Sequence, residues 1–314
     1  MTNPHILVNC PVSDENKSRW EETYVPHYIE EVEGRNALLA EIGNDIVAMI
    51  TDGPRTIDVA FMDAVPNLKL IICLGVGVEK IDMAEAEKRG IIVTNGSGTN
   101  APSVADHVFA LMLAVARHVL PNDRTMRQHA ADEECPKVTS GTIYGKKLGI
   151  IGLGAIGMEV AKRAQAFDME VSYHNRSPRN DVEYGYCGSA EELAAGVQYL
   201  AVSCPGGDET RNMVNADVLK ALGPNGVLIN VSRGSVVDTP ALITAVKTSG
   251  IWGAGLDVVG GDDATRQPLC DMDNVVMTPH LSGNTAEAWD LKNDLADEIL
   301  TAYFSGYEIP NRVL

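Results

Sequence analysis

Positive charge is scarce in this chain of 314 residues. Lys and Arg number 25 against 43 Asp and Glu, which gives a formal net charge of −18 at pH 7. Nucleic acids and anionic membrane surfaces attract proteins through clustered cations, so this balance argues against both as partners. Aromatic residues are also few, at 5%. A site that works by stacking many bases is therefore not expected.

The sequence also lacks the patterns of a membrane span, a disulfide framework or a metal site. No window reaches the roughly 18 apolar residues that cross a bilayer. The short apolar run 5–9 indicates a first strand, not a signal peptide. Six cysteines are scattered, with no Cys-x-x-Cys pair and no His-rich cluster nearby. This spacing favours reduced thiols, a cytoplasmic location and no metal.

Short apolar runs alternate with helical patterns along most of the chain, which predicts βαβ units and parallel sheets. Predicted strands fall at 6–9, 45–50, 68–73, 91–94, 147–151, 170–173, 197–202, 227–231, 252–256 and 274–277. A long apolar helix is predicted over 101–119, a polar irregular stretch over 122–142, and an amphipathic helix over 285–304. The fold class is therefore α/β, with two doubly wound parallel-sheet domains.

The alternation of short strands and helices gives way to a long apolar helix at residue 101, and we place the predicted domain boundary there. We expect residues 1–100 plus 284–314 to form a substrate domain, and residues 101–283 to form a dinucleotide-binding domain of the Rossmann type. The helix over 101–119 is too apolar to be exposed on all faces. We expect it at the domain junction and, partly by analogy with the family whose resemblance is described below, in a homodimer interface.

The strongest local signal is the run Gly152-Leu153-Gly154-Ala155-Ile156-Gly157. Taken alone, G-x-G-x-x-G is a weak motif in a chain with 29 glycines. Here, however, an apolar strand ends just before it and a helical pattern follows it. This is the strand–turn–helix context in which backbone N–H groups bind a pyrophosphate.

The turn after the next strand carries Asn175, Arg176, Ser177 and Arg179 and no acid. An NAD-specific site usually places Asp or Glu there to bind the ribose hydroxyls. Guanidinium groups and a hydroxyl instead suit a phosphate dianion. The turn therefore favours NADP(H), with NAD(H) still possible.

The chain resembles the D-isomer-specific 2-hydroxy acid dehydrogenases, in particular their NADP-preferring glyoxylate/hydroxypyruvate reductase branch. The resemblance covers nearly the whole length and implies a flavodoxin-like substrate domain beside the Rossmann cofactor domain. It rests on the segments 75–82, 92–95, 104–107, 148–157, 230–235, 255–257 and 278–283. The implied reaction is reduction of a small 2-oxo acid to the 2-hydroxy acid.

The resemblance also implies roles for individual residues. Arg233 matches the arginine that binds the substrate, and a guanidinium suits a carboxylate beside a carbonyl. His280 matches the proton donor to the oxygen that gains charge as hydride arrives. The family's third catalytic residue is a glutamate that pairs with the histidine. This chain has Asp262 there, one methylene shorter, and Asp263 is the alternative partner.

The same resemblance completes the predicted binding sites. Val76 and Gly77 match a loop whose N–H groups receive the substrate carboxylate. Asp257 matches a residue near the nicotinamide. The full predicted cofactor site consists of Gly152, Gly154, Ala155, Ile156, Gly157, Asn175, Arg176, Ser177, Arg179, Cys204, Pro205, Thr210, Val231, Ser232, Arg233, Asp257, His280 and Gly283.

Two alternatives remain open at this stage. One is an NAD-dependent member of the family that acts on a phenylpyruvate or phosphoglycerate type of substrate. The other is a non-catalytic protein that senses NAD(P), as corepressors on this fold do. The presence of both Arg233 and His280 argues against the second alternative.

Overall fold

The structure is a computed structural model that describes residues 3–29, 35–128 and 139–314. Its strands are β1 His5–Asn9, β2 Val25–Tyr28, β3 Ile46–Thr51, β4 Leu70–Cys73, β5 Ile92–Asn95, β6 Lys147–Ile151, β7 Glu170–His174, β8 Gly185–Tyr186, β9 Tyr199–Val202, β10 Val227–Asn230, β11 Gly253–Leu256 and β12 Val275–Met277. Its helices are α1 Asp14–Thr23, α2 Arg35–Ile42, α3 Val59–Ala64, α4 Met83–Lys88, α5 Ala101–Ala116, α6 Val119–Gln128, α7 Ala155–Gln165, α8 Ala190–Ala195, α9 Ala216–Leu222, α10 Thr239–Lys247, α11 Asp263–Cys270 and α12 Ala286–Ser305.

The chain divides into two compact units. The first consists of residues 1–100 and 286–314, and the second of residues 101–285. In the first unit the strands pair in the order β2-β1-β3-β4-β5, all parallel. This is the flavodoxin-like order, so the predicted fold of this part of the chain is confirmed.

Both faces of the first sheet are covered by apolar side chains, as parallel sheets require. Leu7 and Met49 face one core cluster. Their neighbours Ile6 and Ile50 face the other, because side chains alternate along a strand. The C-terminal helix α12 belongs to this second cluster through residues that are fully buried, namely Ala296, Ile299 and Leu300.

The second sheet has the order β12-β11-β10-β9-β6-β7-β8 and is also parallel throughout. Starting from β6, the chain first builds outward through β7 and β8. It then returns to the other side of β6 with β9. This is the Rossmann order, whose ligands bind outside the carboxyl ends of the strands where the order reverses.

The apolar helix predicted over 101–119 ends earlier than expected. α5 stops at Ala116, and His118 adopts a left-handed φ of 49° that breaks the helix before α6 begins. The prediction of an irregular stretch from 122 was therefore wrong for residues 122–128, while 129–138 lie outside the described residues. Pro121 lies in the first turn of α6, where proline is tolerated.

Strand β2, which contains Pro26, was not predicted. It lies at the edge of the first sheet and pairs with β1 on one side only. A proline lacks an N–H donor, so it is accepted in an edge strand and excluded from a central one.

Within the described parts of the chain, no single helix is long and apolar enough to cross a membrane. α5 and α6 reach the required length and composition only as a pair, and they are bent by 59°. Much of α5 lies in the core of the second unit, where Phe109 stacks on Phe167 at 5.2 Å between ring centroids. The cysteines outside disulfides include Cys73, Cys187, Cys204 and Cys270. Cys135 lies outside the described residues.

Candidate active site

The glycine-rich turn follows β6, next to the point where the strand order reverses. Gly152 has a φ of +94°, and a Cβ there would lie 2.5 Å from the backbone N of Cys204. A Cβ on Gly157 would lie 2.4 Å from the carbonyl oxygen of Gly152. By contrast, the Cβ position of Gly154 meets no heavy atom of the described residues within 4 Å outside the turn. The turn is therefore closely packed inside and open at Gly154, which fits a pyrophosphate.

The start of α7 supplies the donors for such a group. Gly154 is the N-cap, and no side chain caps the helix. The N–H groups of Ala155 and Ile156 therefore have no acceptor among the described residues. A helix N-terminus also carries partial positive charge, so an anion is stabilised there. These residues fit a dinucleotide.

Two predicted cofactor residues support the turn from the end of β7. Asn175 accepts a hydrogen bond from the N–H of Leu153 through Oδ1, at 2.7 Å. Arg179 donates to the carbonyl oxygen of Leu153 through Nη1, at 2.8 Å. Arg179 also donates through Nε to Asp181 at 2.9 Å. Both side chains thus hold the Leu153 peptide in place, whichever dinucleotide binds.

Arg176 and Ser177 are arranged differently from Arg179. The Arg176 side chain is 89% exposed, and its Nη1 lies 3.3 Å from Glu209 Oε2. An exposed ion pair of this kind contributes about 0–1 kcal/mol, so a bound phosphate can replace it. Ser177 is exposed beside it. Arg176 is therefore the guanidinium available to a 2′-phosphate.

The predicted residues after β9 form the next part of this edge. The hydroxyl of Thr210 donates to the carbonyl oxygen of Pro205 at 2.8 Å. The hydroxyl of Ser232 donates to the carbonyl oxygen of Cys204. Val231 continues the ladder, because its N–H donates to the carbonyl oxygen of Val202 at 3.2 Å. The loops after β9 and β10 are thereby bonded to each other.

A buried amide fixes the turn that carries Arg233. Asn230 is 1% exposed, and its Oδ1 accepts from the N–H of Ser232 at 3.1 Å. Its Nδ2 donates to the carbonyl oxygens of Arg233 at 3.2 Å and Val258 at 3.4 Å. The side chain of Arg233 itself lies over Gly206, where a Cβ would come within 2.6 Å of Arg233 Cγ. The guanidinium donates through Nη1 to the carbonyl oxygen of Ser232 at 2.9 Å. Asn230 thus fixes the backbone of the turn, and Gly206 leaves room for the Arg233 side chain.

His280 follows β12 in an uncommon backbone conformation. Its φ is +55°, and its N–H donates to the carbonyl oxygens of Asp257 at 2.9 Å and Thr278 at 3.1 Å. Its side chain is exposed. The imidazole is thus presented at the surface of the second unit by a loop that is fixed beneath it.

Asp257 is the residue that fixes this loop. The carboxylate is 1% exposed and accepts from the Thr278 hydroxyl at 2.6 Å, from the N–H of Leu281 at 2.9 Å and from the N–H of Ser282 at 3.0 Å. Burial acts to raise the pKa of Asp257, but the hydrogen bonds from Ser282 and Thr278 outweigh it and the pKa is lowered. Asp257 is therefore a buried anion that binds this loop. The predicted cofactor residue Gly283 directly follows Ser282.

Asp262 does not contact His280 in this structure. It is the N-cap of α11, and its Oδ1 accepts from the N–H of Thr265 at 2.8 Å and from the Thr265 hydroxyl at 2.7 Å. Those hydrogen bonds from Thr265 lower the pKa of Asp262. Asp263 pairs with Arg266 on the same helix. Pairing of either acid with His280 stays a prediction.

Neighbouring strands nevertheless bring the main candidates to one edge of the second sheet. Arg233 follows β10, Asp257 follows β11 and His280 follows β12, and these three strands are adjacent and parallel. Adjacent strands are about 4.8 Å apart, so the ends of β10 and β12 are separated by roughly 10 Å. A guanidinium and an imidazole at that separation can reach opposite sides of one small substrate.

Val76 and Gly77 lie in the first unit, after β4. The carbonyl oxygen of Val76 accepts from Asn95 Nδ2 at 2.9 Å, and that of Gly77 lies 3.5 Å from Cys73 Sγ. Neither N–H donates to a backbone or side-chain acceptor among the described residues. Two fixed carbonyl groups with two open N–H groups make a loop that can receive a carboxylate.

Several supporting residues were not identified from the sequence. Asn230, Thr278 and His107 all lie in segments that carry the family resemblance, yet no chemistry marks them in the sequence. His107 Nε2 lies 2.9 Å from the Thr278 hydroxyl, although the two residues are 171 positions apart. A short polar residue at the carboxyl end of a strand was the available signal, since Asn230 ends β10 and Thr278 directly follows β12.

Turn, sheet order and open helix N-terminus define the second unit as a dinucleotide-binding domain. The sequence of residues 109–282 matches the family model described as D-isomer specific 2-hydroxyacid dehydrogenase, NAD binding domain. The chain belongs to this family, which confirms the resemblance and the expected nicotinamide dinucleotide cofactor.

Relatives along the whole chain agree with this assignment. Hydroxyphenylpyruvate reductase of Plectranthus scutellarioides is 36% identical over 301 residues, covering 96% of each chain. Glyoxylate reductase of Pyrococcus furiosus is 35% identical over 316 residues, covering 98% of this chain and 94% of its own. The NADPH-dependent glyoxylate/hydroxypyruvate reductase of Sinorhizobium meliloti, solved with NADP and malonate, superposes with a TM-score of 0.88 at 34% identity, covering 99% and 97%. Reduction of a 2-oxo acid with a nicotinamide cofactor is thereby supported.

Proposed function

We propose that the protein uses NADPH to reduce a small 2-oxo acid, such as glyoxylate or hydroxypyruvate, to the matching 2-hydroxy acid. The observation that carries this proposal is the position of Arg233 and His280 after β10 and β12, at the edge of the sheet that also holds the glycine-rich turn. The names of the relatives from Pyrococcus furiosus and Sinorhizobium meliloti support the same substrate class.

In the proposed mechanism each group has one task. Arg233 binds the substrate carboxylate and polarises the neighbouring carbonyl group. Val76 and Gly77 are the proposed carboxylate-binding residues of the first unit. When bound, the reduced nicotinamide supplies the hydride that adds to C2. His280 then donates a proton to the C2 oxygen, so that the carbonyl becomes a hydroxyl. Asp262 remains the proposed partner of His280.

The preference for NADPH rests on the turn after β7. Arg176 is exposed and held only by a surface ion pair with Glu209. Ser177 adds a hydroxyl, and no acid occupies 175–179 to repel a phosphate. A guanidinium that is not needed to hold the fold is well suited to the 2′-phosphate that distinguishes NADPH from NADH.

A second candidate substrate class is the aromatic 2-oxo acids. The relative from Plectranthus scutellarioides is named for reduction of hydroxyphenylpyruvate, and its identity to this chain is 36%. An NAD-dependent reductase of that type would use the same arginine and histidine. An aromatic 2-oxo acid carries a ring on C3 and needs a larger pocket there than glyoxylate or hydroxypyruvate. The second candidate also uses NADH in place of NADPH.

One kinetic matrix tests both candidates. Oxidation of NADPH and of NADH is followed with glyoxylate, hydroxypyruvate, phenylpyruvate and hydroxyphenylpyruvate. The proposal expects the highest kcat/KM with NADPH and one of the two small acids. A higher value with NADH and an aromatic acid favours the second candidate, and no turnover of any 2-oxo acid refutes both.

We further propose that the enzyme acts in the cytoplasm as a homodimer. The exposed apolar side chains of the second unit include a group around α6, namely Val119, Leu120, Met126 and Trp252. Such a group is suited to burial against a second copy. Light scattering with size-exclusion chromatography should give twice the mass of the 33.7 kDa chain.

A further inference from the structure

Lys292 lies on the core-facing side of α12. Ala288 and Ala296, four residues before and after it, are 1% and 0% exposed. Residues four apart share one face of a helix, and Lys292 is itself half-buried. A cation therefore occupies the face with which the rest of α12 packs on the first sheet. Such a position is unusual for lysine, which is rarely buried without a partner.

The positive charge of Lys292 is only partly compensated. Its ammonium group lies 4.4 Å from the centroid of the Trp289 ring, and no ion pair joins it to a carboxylate of the described residues. Burial lowers the pKa of Lys292, while the charge of Asp52 acts in the opposite direction. Asp52, however, is already paired with Arg55 at 2.9 Å. The ammonium group thus has a cation–π contact but no anionic partner of its own.

The surroundings of Lys292 place it beside the loop proposed to bind the substrate. Its charge acts on Cys73, the last residue of β4, and on Asp52, which directly follows β3. The sulfur of Cys73 in turn lies 3.5 Å from the carbonyl oxygen of Gly77. Trp289, which the ammonium group contacts, packs against the core cluster that contains Ile50, Ile72 and Leu74, at the carboxyl ends of β3 and β4. Lys292 therefore lies near the carboxyl ends of these strands, and the loop with Val76 and Gly77 starts from β4.

We propose that Lys292 is a specificity-determining residue that binds a second acidic group of the substrate. The preferred substrates are then 2-oxo dicarboxylic acids, compared with monocarboxylic acids of equal chain length. This inference rests on the proposed function, in which the N–H groups of Val76 and Gly77 receive the first carboxylate. Glyoxylate has no second acidic group and leaves the ammonium without a partner. A second carboxylate accepts charge-assisted hydrogen bonds from it.

Two pairs of substrates of equal length test the inference. Oxaloacetate is compared with 2-oxobutyrate, and 2-oxoglutarate with 2-oxovalerate, in the wild type and in Lys292→Met. Methionine keeps the unbranched shape of the side chain and removes its charge. We expect kcat/KM to fall roughly 10- to 100-fold for the dicarboxylic acids, mainly through KM, and to change less than about threefold for the monocarboxylic acids.

Further variants separate a binding role from a structural one. Lys292→Arg keeps the charge and should keep the preference for dicarboxylic acids. Lys69→Met removes an exposed lysine at the amino end of β4, at the opposite edge of the sheet, and should leave all four values unchanged. If Lys292→Met does not fold, Lys292→Gln provides the same comparison.

Failure of this inference can be told apart from failure of the proposed function. Equal losses for both members of each pair, or no loss in either, overturn the role of Lys292 while leaving 2-oxo acid reduction in place. The same holds if the wild type prefers the monocarboxylic acids. Absence of turnover with every 2-oxo acid overturns the proposed function and this inference together.

Discussion

The buried carboxylate of Asp257 accepts a 2.6 Å hydrogen bond from the hydroxyl of Thr278. The oxygen of that hydroxyl also lies 2.9 Å from Nε2 of His107, on α5. Two backbone N–H groups of the following residues donate to the same carboxylate. One buried charge therefore holds the loop in which His280 adopts a φ of +55°, a conformation that is unfavourable for a residue with a side chain.

Replacing Asp257 with Asn should loosen this loop. The amide keeps the size of the carboxylate but removes the charge and one acceptor, so a buried donor is left without a partner. We expect the free energy of unfolding to fall by about 1–3 kcal/mol. We also expect kcat for 2-oxo acid reduction to fall, because His280 is no longer held in one position. Urea denaturation and steady-state kinetics measure the two effects.

Asp263→Asn is the matched control for this substitution. Asp263 is exposed and pairs with Arg266 at the surface of α11, so its loss should change the free energy of unfolding by less than about 1 kcal/mol. Equal effects of the two substitutions would contradict the role assigned to the buried carboxylate.

The same carboxylate should contribute to the dependence of stability on pH. The pKa of Asp257 is lowered in the folded chain, because hydrogen bonds from Ser282 and Thr278 outweigh the effect of burial. The unfolded value is about 3.9, so the stabilisation is complete above that pH and is lost as pH falls through the lower folded value.

Denaturation of the wild type and of Asp257→Asn between about pH 5 and pH 2 measures this contribution. The difference between the two free energies of unfolding should shrink as pH falls, since the wild-type carboxylate becomes protonated. The many other carboxyl groups are common to both proteins and cancel. A difference that stays constant down to about pH 2 would show that Asp257 does not titrate as its hydrogen bonds imply.

Much of the fold follows from local pattern. Strand–helix alternation identified the central strands of both sheets, and the strand and helix around Gly152, Gly154 and Gly157 identified the cofactor turn. The unpredicted elements depend on tertiary context. Pro26 is acceptable only because β2 is an edge strand. The helix break before α6 occurs at His118, which is not one of the residues that usually indicate a turn in a sequence.

Some residues of the candidate site could likewise be predicted before the structure was known, and others could not. Arg233 and His280 were assigned through the family resemblance, and sheet topology then explains how they reach one edge. The hydrogen bonds of Asp257 and the capping role of Asp262 were not visible in the sequence. An aspartate that precedes a helix and one that might pair with a histidine look alike until Thr265 is seen to occupy the carboxylate.

Arg176→Ala should change the choice of cofactor. Loss of the guanidinium removes the proposed contact to the 2′-phosphate, which NADH lacks. We expect the dissociation constant for NADPH to rise roughly 10- to 100-fold, while that for NADH changes little. Fluorescence titration of each reduced cofactor measures both constants.

Arg179→Ala distinguishes a phosphate contact from a supporting one. Arg179 donates to the carbonyl oxygen of Leu153 and so holds the glycine-rich turn itself. Its loss should weaken NADPH and NADH by similar factors. If Arg176→Ala also weakens both cofactors equally, Arg176 does not contact the phosphate.

His280→Ala should separate catalysis from cofactor binding. A positioned proton donor contributes about 10²- to 10⁴-fold to rate, so kcat/KM for reduction should fall within that range. Affinity for NADPH should stay nearly unchanged, because the glycine-rich turn and the N-terminus of α7 are not altered. Stopped-flow or steady-state oxidation of NADPH gives the first quantity, and fluorescence titration gives the second.

His118→Ala is a closely matched control. His118 also has a left-handed φ, of 49°, so both substitutions place alanine in a similarly unfavourable backbone conformation. Its ring packs on Trp252, which precedes β11, at the edge of the sheet opposite to His280. Loss of activity confined to His280→Ala identifies the imidazole as the proton donor. Equal losses of activity in both variants would contradict a catalytic role of the imidazole. Loss of NADPH binding in His280→Ala would show that His280 holds the cofactor and would contradict the separation of catalysis from binding.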